Sequence, residues 1–257
     1  MIDLKEHPDI YDLIDLIDLL RSEDGCPWDK VQTHDSIKGA LLEESYEVVD
    51  AINKNDLEGM KEELGDVLMQ VVFHASIENE NNNFNFNDIV KGVYDKMIYR
   101  HPHVFTDEKD TEAWDELKKK EKKYNTVTEE LKGVANALPA LVRAKKVQSK
   151  AAKVGFDFEN LEEASKKVIE ELNEVLTEYK FGNQSRILEE VGDLIFSCVN
   201  VARLLNINPE DSLQKTTDKF IKRFKYIEDG AIKMNKKVEE LDIKEMDQLW
   251  SQSKNFK

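Results

Sequence analysis

The chain carries one acidic pattern twice. Glu43-Glu44-Ser45-Tyr46-Glu47 is followed by Glu63-Leu64-Gly65-Asp66, and Glu170-Glu171-Leu172-Asn173-Glu174 by Glu190-Val191-Gly192-Asp193. Each acidic residue and the glycine of the first set returns 127 residues later. A fixed offset of this kind marks an internal duplication, so two copies of one folding unit must account for a chain of 257 residues. On this repeat, residues 1–130 form an N-terminal domain and 131–257 a C-terminal one. Lys96 and Arg100 return as Lys219 and Arg223, 123 residues on, so the copies differ slightly in length.

The repeated unit reads as helical. Only 10 glycines and 5 prolines interrupt the chain, and 35% of its residues are charged, a balance that favours helices. Asn160 ahead of Glu163 opens a helix that runs to about Lys180 and stops near Gly182. The next runs from about Gln184 to Leu205, and Asn208-Pro209 opens a third, to about Gly230. The first copy gives helices near 37–53, 57–79 and 88–100, the last ending before Pro102. The fold expected is all-α, with tandem helical-bundle domains. Asn79–Asn87 is expected to be a polar loop. Residues 107–132, with the run LKKKEKK, are expected to be a solvated helix or linker.

A net charge of −16 repels phosphodiester backbones and anionic lipid, which argues against a nucleic-acid binder or a membrane-surface protein. No run of about 18 apolar residues offers a membrane span. Asp3, Glu6, Asp9, Asp12, Asp15 and Asp18 give the N-terminus the wrong sign for a targeting peptide. Cys26 and Cys198 make no disulfide framework, so a cytoplasmic setting is expected.

The chemistry lies in the carboxylates. Residues three or four apart share a helix face, which pairs Glu44 with Glu47, Glu63 with Asp66, Glu171 with Glu174, and Glu190 with Asp193. Apolar neighbours such as Leu194 and Ile195 crowd the same helices, so the pairs point partly inward. Adjacent helices joined by a short turn pack antiparallel and bring four carboxylates to one spot. Like charges so close disfavour joint ionisation; either some take protons or a cation sits among them. An oxygen-only donor set suits Mg²⁺ or Mn²⁺. A di-iron bundle would need Glu-x-x-His, which occurs nowhere in the chain. A mid-helix glycine costs about 1 kcal/mol relative to alanine. Gly65 and Gly192 in matching places suggest a close helix approach or room for a ligand.

Cations accompany the second set. Lys167 lies one turn before Glu171, and Arg186 shares the face of Glu190, where the first copy has Gly59. Lys219 and Arg223 lie four apart and suit phosphate oxygens. Trp250 either stacks a base or closes the core. His101 and His103 read as loop residues, and His34 and His74 have no partner at a useful spacing. Cys26-Pro27-Trp28-Asp29 fits either packing or a site.

These residues resemble the MazG family of nucleoside triphosphate pyrophosphohydrolases, in its longer tandem-domain form. The resemblance runs through CPWDKVQTHDSI at 26–37, LLEESYEVVDAI at 41–52 and EELGDVLMQVVFHA at 62–75. It continues in RHPHVF at 100–105, RAKKVQSKAAKVGFDF at 143–158 and EEVGDLIFSCVNVAR at 189–203. It implies the all-α NTP pyrophosphohydrolase fold, Mg²⁺ (Mn²⁺ as a substitute), and hydrolysis of ribo- or deoxyribonucleoside triphosphates, ATP among them, to monophosphate plus pyrophosphate. By the same resemblance Glu171, Glu174, Glu190 and Asp193 are metal ligands. Glu170 and Glu189 orient water or metal, Lys167, Arg186, Lys219 and Arg223 bind phosphate, and Trp250 contacts the nucleotide. The N-terminal set, Glu44, Glu47, Glu63 and Asp66, belongs to a copy expected to be weak or inactive. A homodimer and a role in nucleotide-pool housekeeping are also implied. Two alternatives stay open at this point: a regulatory nucleotide-binding protein without turnover, and a dUTP-directed enzyme of the same superfamily.

Overall fold

A computed structural model describes residues 5–105 and 114–254, and among these the chain is built of α-helices with no strand. It divides into two compact units, Met1–Lys118 and Lys119–Lys257. The first holds α1 (Ile10–Arg21), α2 (Pro27–Lys30), α3 (His34–Lys54), α4 (Leu57–Glu80), α5 (Phe86–Arg100) and α6 (Pro102–Phe105). Helix α7 (Trp114–Lys122) spans the residues at which the units divide. The second unit continues with α8 (Val127–Lys132), α9 (Ala140–Ala152), α10 (Leu161–Phe181), α11 (Gln184–Leu204), α12 (Pro209–Lys233) and α13 (Ile243–Ser253). No helix among the described residues is long and apolar enough to cross a membrane.

The centre of each unit is a helical hairpin with the same two-residue turn. In the first, α3 ends on Asn55 in the left-handed conformation (φ 56°), and Asp56 caps α4 by accepting from the Gly59 N–H at 3.0 Å. In the second, α10 ends on Gly182 (φ 71°), and Asn183 caps α11 by accepting from the Arg186 N–H at 3.3 Å. Asparagine and glycine are the residues that enter this backbone region at least cost. A connection this short forces antiparallel packing, and the two helices of each pair are the most closely associated elements of their unit.

Around each hairpin the partner helices differ. In the first unit α1 covers α4: Ile17 packs with Ile37, Val72, Phe73 and Ile77 in a buried cluster. In the second, α9 lies against α11 and α12, and Gln148 donates to the Phe196 carbonyl at 2.8 Å. Helix α13 folds back on α12, where Ile227, Ala231, Leu241 and Leu249 are buried. Gly230 makes that contact possible, because a Cβ there would stand 2.6 Å from Leu249 Cδ2.

Several boundaries differ from expectation for local reasons. The loop expected over 79–87 shrinks to 81–85, because α4 runs to Glu80 and Asn85 caps α5 with its side chain. Helix α3 starts at His34 rather than 37, because Thr33 and Ser36 cap each other's backbone N–H groups. The charged run forms helices α7 and α8, although residues 106–113 lie outside the described residues.

Candidate active site

The hairpin turn sets the register of the carboxylates. Glu174 and Glu190 each lie eight residues from Gly182, and Glu171 and Asp193 eleven. At 1.5 Å per residue, equal counts on antiparallel helices put each pair at one height. Donor oxygens of Glu171, Glu190 and Asp193 come within 4.8 Å of one another, as do those of Glu170, Glu171 and Glu174. Glu171 belongs to both groups and is buried, as is Glu190; Glu170, Glu174, Glu189 and Asp193 are exposed.

Two cations hold this cluster. Lys167 Nζ lies 2.7 Å from Glu170 and 2.6 Å from Glu171. Arg186 reaches Glu189 at 2.9 Å, Glu190 at 3.1 Å and, from across the hairpin, Glu178 at 4.0 Å. The hydrogen bonds to Glu170 and Glu171 raise the Lys167 pKa well above that of a free lysine, so it stays charged. Glu174 is pushed up, first by its hydrogen bond with Glu171, then by burial and by the charge of Glu171.

The first unit repeats the carboxylates without the cations. Glu44, Glu47 and Glu63 bring donor oxygens within 4.8 Å, and Asp66 is half-buried nearby. Ala40 stands where Lys167 does and Gly59 where Arg186 does. No ion pair among the described residues neutralises Glu44, Glu47 or Glu63. Burial and the neighbouring Asp66 and Glu47 raise the Glu44 pKa; burial and Glu47 raise that of Glu63. A carboxyl raised in the native state favours folding below its unfolded-state value, and loses that contribution as pH rises through the native value. With metal chelated, the contribution of Glu44 and Glu63 to stability should therefore grow as the pH is lowered, against the opposite contribution of His74, whose pKa burial lowers. Glu63→Gln should flatten this slope in thermal denaturation followed by circular dichroism. An unchanged slope would mean that Glu63 is not under such repulsion.

Arg223 and Trp250 meet elsewhere, where α12 packs on α13, and Lys219 is exposed one turn before Arg223 on α12. The Arg223 guanidinium lies over the Trp250 ring at 5.5 Å, and Phe220 packs against that ring at 5.2 Å. Among the described residues no hydrogen bond, ion pair or ring contact ties them to the carboxylates. Trp250 is half-buried and borders the Ile227–Leu249 cluster. In the first unit, Arg100 is buried near the end of α5 and Lys96 is half-buried.

Two glycine expectations and two histidine readings are altered. A Cβ on Gly65 or Gly192 would meet nothing within 4 Å, so neither marks a close helix approach within the chain. Gly192 instead borders a cavity of about 640 Å³, with Leu131, Leu141, Ala144, Ile195 and Phe196. His34 and His74, expected to lack partners, stack at 5.0 Å with their Nδ1 atoms 2.7 Å apart, and His34 Nε2 lies 2.5 Å from Glu78. His101 caps the end of α5 as a loop residue does, its Nδ1 2.7 Å from the Met97 carbonyl. The Cys26–Asp29 motif has a structural contact, since the Asp29 carbonyl accepts from Arg21 at 2.8 Å, but Trp28 is exposed.

The MazG nucleotide pyrophosphohydrolase domain model matches the chain twice, over residues 32–105 and 159–227. The chain belongs to the MazG family. Each match contains one hairpin with its carboxylates, so the duplication seen in the sequence is a duplication of the MazG domain. A relative from Thermotoga maritima, named nucleoside triphosphate pyrophosphohydrolase/pyrophosphatase MazG, is 42% identical over 95% of this chain and 94% of its own length. The Escherichia coli K12 nucleoside triphosphate pyrophosphohydrolase is 40% identical over 94% of this chain and 95% of its own. Protein YabN of Bacillus subtilis, uncharacterised, is 44% identical over 91% of this chain but only 49% of its own. These alignments cover both MazG domains, and an enzyme is the reading they support.

Proposed function

We propose that this MazG-family chain is a metal-dependent nucleoside triphosphate pyrophosphohydrolase whose working site is the hairpin α10–α11. It converts a ribo- or deoxyribonucleoside triphosphate and water to the monophosphate and pyrophosphate, by attack at the α-phosphorus. The observation that carries this is the meeting of Glu171, Glu190 and Asp193 within 4.8 Å, with Lys167 and Arg186 on the same carboxylates. Oxygen-only donors, crowded and partly buried, fit a hard divalent cation, Mg²⁺ with Mn²⁺ as a substitute. Glu171, Glu174, Glu190 and Asp193 would hold it, and it would offset triphosphate charge and activate water there. Exposed Glu170 and Glu189 orient the attacking water and take its proton. Lys167 and Arg186 donate to phosphate oxygens as charge moves to the departing pyrophosphate. We assign Lys219 and Arg223 to further phosphate contacts and Trp250 to the nucleoside; the Arg223 guanidinium, now over the indole, would have to leave that face for a base to stack there.

The N-terminal copy keeps its ligands but lacks both cations, so we assign it weak or no turnover. A homodimer is part of the same reading. Leu172 and Leu176 on α10 and Leu188 and Ile195 on α11 are exposed in one copy, and a second hairpin would cover them as in a four-helix bundle. Free Cys26 and Cys198 agree with a reducing, cytoplasmic setting and nucleotide-pool housekeeping.

The test is product analysis. Full-length protein is incubated with each NTP and dNTP, dUTP included, and products are resolved by ion exchange. Monophosphate plus pyrophosphate is expected in Mg²⁺ or Mn²⁺, and neither with EDTA. Diphosphate plus phosphate would overturn attack at the α-phosphorus, and turnover of dUTP alone would narrow the substrate class.

A further inference from the structure

We infer that Lys167 and Arg186 are internal counter-ions that compete with bare metal for the site and give up their carboxylates to metal–nucleotide, so that metal and triphosphate bind together. The inference rests on the proposed metal-ligand reading. Lys167 is shared between Glu170 and Glu171, and Arg186 between Glu189 and Glu190. Glu171 and Glu190 are the buried members of the proposed donor set, with side chains only 5% and 10% exposed. Each cation therefore sits on a ligand oxygen that metal needs.

An ion pair to a buried carboxylate exchanges poorly with water, because the freed charge loses its compensation. A lone divalent ion must displace two such pairs and leave both cations facing its own charge. A metal–triphosphate complex removes that conflict. Its phosphate oxygens offer the displaced guanidinium and ammonium new partners of the same kind. Glu178, on the opposite helix, keeps a negative charge 4.0 Å from the Arg186 Nε as the guanidinium turns. The N-terminal hairpin shows that the carboxylates do not need these cations to assemble. With Ala40 and Gly59 in the matching places, donor oxygens of Glu44, Glu47 and Glu63 still gather within 4.8 Å of one another.

The test separates two affinities of the full-length chain. Glu63→Gln and Asp66→Asn are placed in the N-terminal copy, so that only the second hairpin is counted. Binding of Mn²⁺ alone is followed by the loss of its free electron-paramagnetic signal. Binding of Mn²⁺ with a nucleotide bearing a non-hydrolysable α,β-imido bridge is followed by calorimetry. Lys167→Met and Arg186→Met should each tighten Mn²⁺ alone about tenfold, a repulsive charge near 4 Å having been removed. Both should weaken metal–nucleotide by a comparable factor. Looser binding of both ligands, or unchanged Mn²⁺ affinity, would overturn the inference, the latter leaving only phosphate contacts. Should Lys167→Met fold poorly, Arg186→Met, at the more exposed position, carries the same test. Glu190→Gln separates this inference from the site reading: if it does not abolish Mn²⁺ binding at this hairpin, the ligand assignment itself fails.

Discussion

Glu190→Gln in the full-length chain should lower kcat for nucleoside triphosphate hydrolysis by roughly a thousandfold or more, while Glu63→Gln leaves it within about threefold. The substitution keeps the shape of a buried side chain and removes its charge. In the second hairpin that charge faces Arg186, 3.1 Å away, and would face the proposed metal. KM for metal–nucleotide should rise as well, because the metal that binds with the triphosphate loses a ligand. The contrast between the copies is the informative part. Each hairpin gathers carboxylate oxygens within 4.8 Å, Glu44, Glu47 and Glu63 in the first and two overlapping trios on Glu171 in the second, and only the second carries Lys167 and Arg186 on them. Activity that survives Glu190→Gln and disappears with Glu63→Gln would move the working site to the first unit. The same assay with pyrophosphate detection, run beside circular dichroism, separates lost chemistry from lost fold.

Arg21→Ala should cost about 3 kcal/mol of stability, visible in urea or thermal denaturation. Its side chain is 3% exposed. Nε and Nη2 fork onto Glu80 at 2.9 and 2.8 Å, and Nη1 donates to the carbonyls of Asp29 and Gln32 at 2.8 and 3.3 Å. The guanidinium also lies over Phe73, 5.1 Å from the ring centre. One residue thus ties α1 to the far end of α4, to α2 and to the loop that leads into α3. Glu80 is half exposed and can regain water, but the two carbonyls and the ring lose their partner. Arg21→Lys should recover little, since an ammonium cannot fork across a carboxylate while reaching two carbonyls. A loss below about 1 kcal/mol would place Arg21 among ordinary surface pairs.

The hairpins were legible because their punctuation is local. Gly182 followed by Asn183 is a helix stop and a helix start in two residues, and it fixes which carboxylates stand level. Asn208-Pro209 marks the start of α12 in the same way. The pairing of His34 with His74 was not legible, because forty residues separate them and no period connects them. Only the packing of α3 on α4 brings them together. Glu178 was missed because the first copy has Ala51 there, so the repeat drew no attention to it. The setting of Trp250, between Arg223 and Phe220, depends on how α13 folds back on α12. Glycine at 230 permits that fold, but the sequence does not specify its angle.

The turn at Gly182 and Asn183 has a consequence for inheritance. Every proposed metal ligand of the second unit lies in one uninterrupted stretch from Glu171 to Asp193, folded on itself once. Such a site travels whole. A copying event that includes the stretch hands over a finished set of donors, and no distant segment has to arrive with it. Divergence between two such copies then begins at the residues around the donors. The chain shows this state: like carboxylates in both halves, with alanine and glycine in one where the other has lysine and arginine.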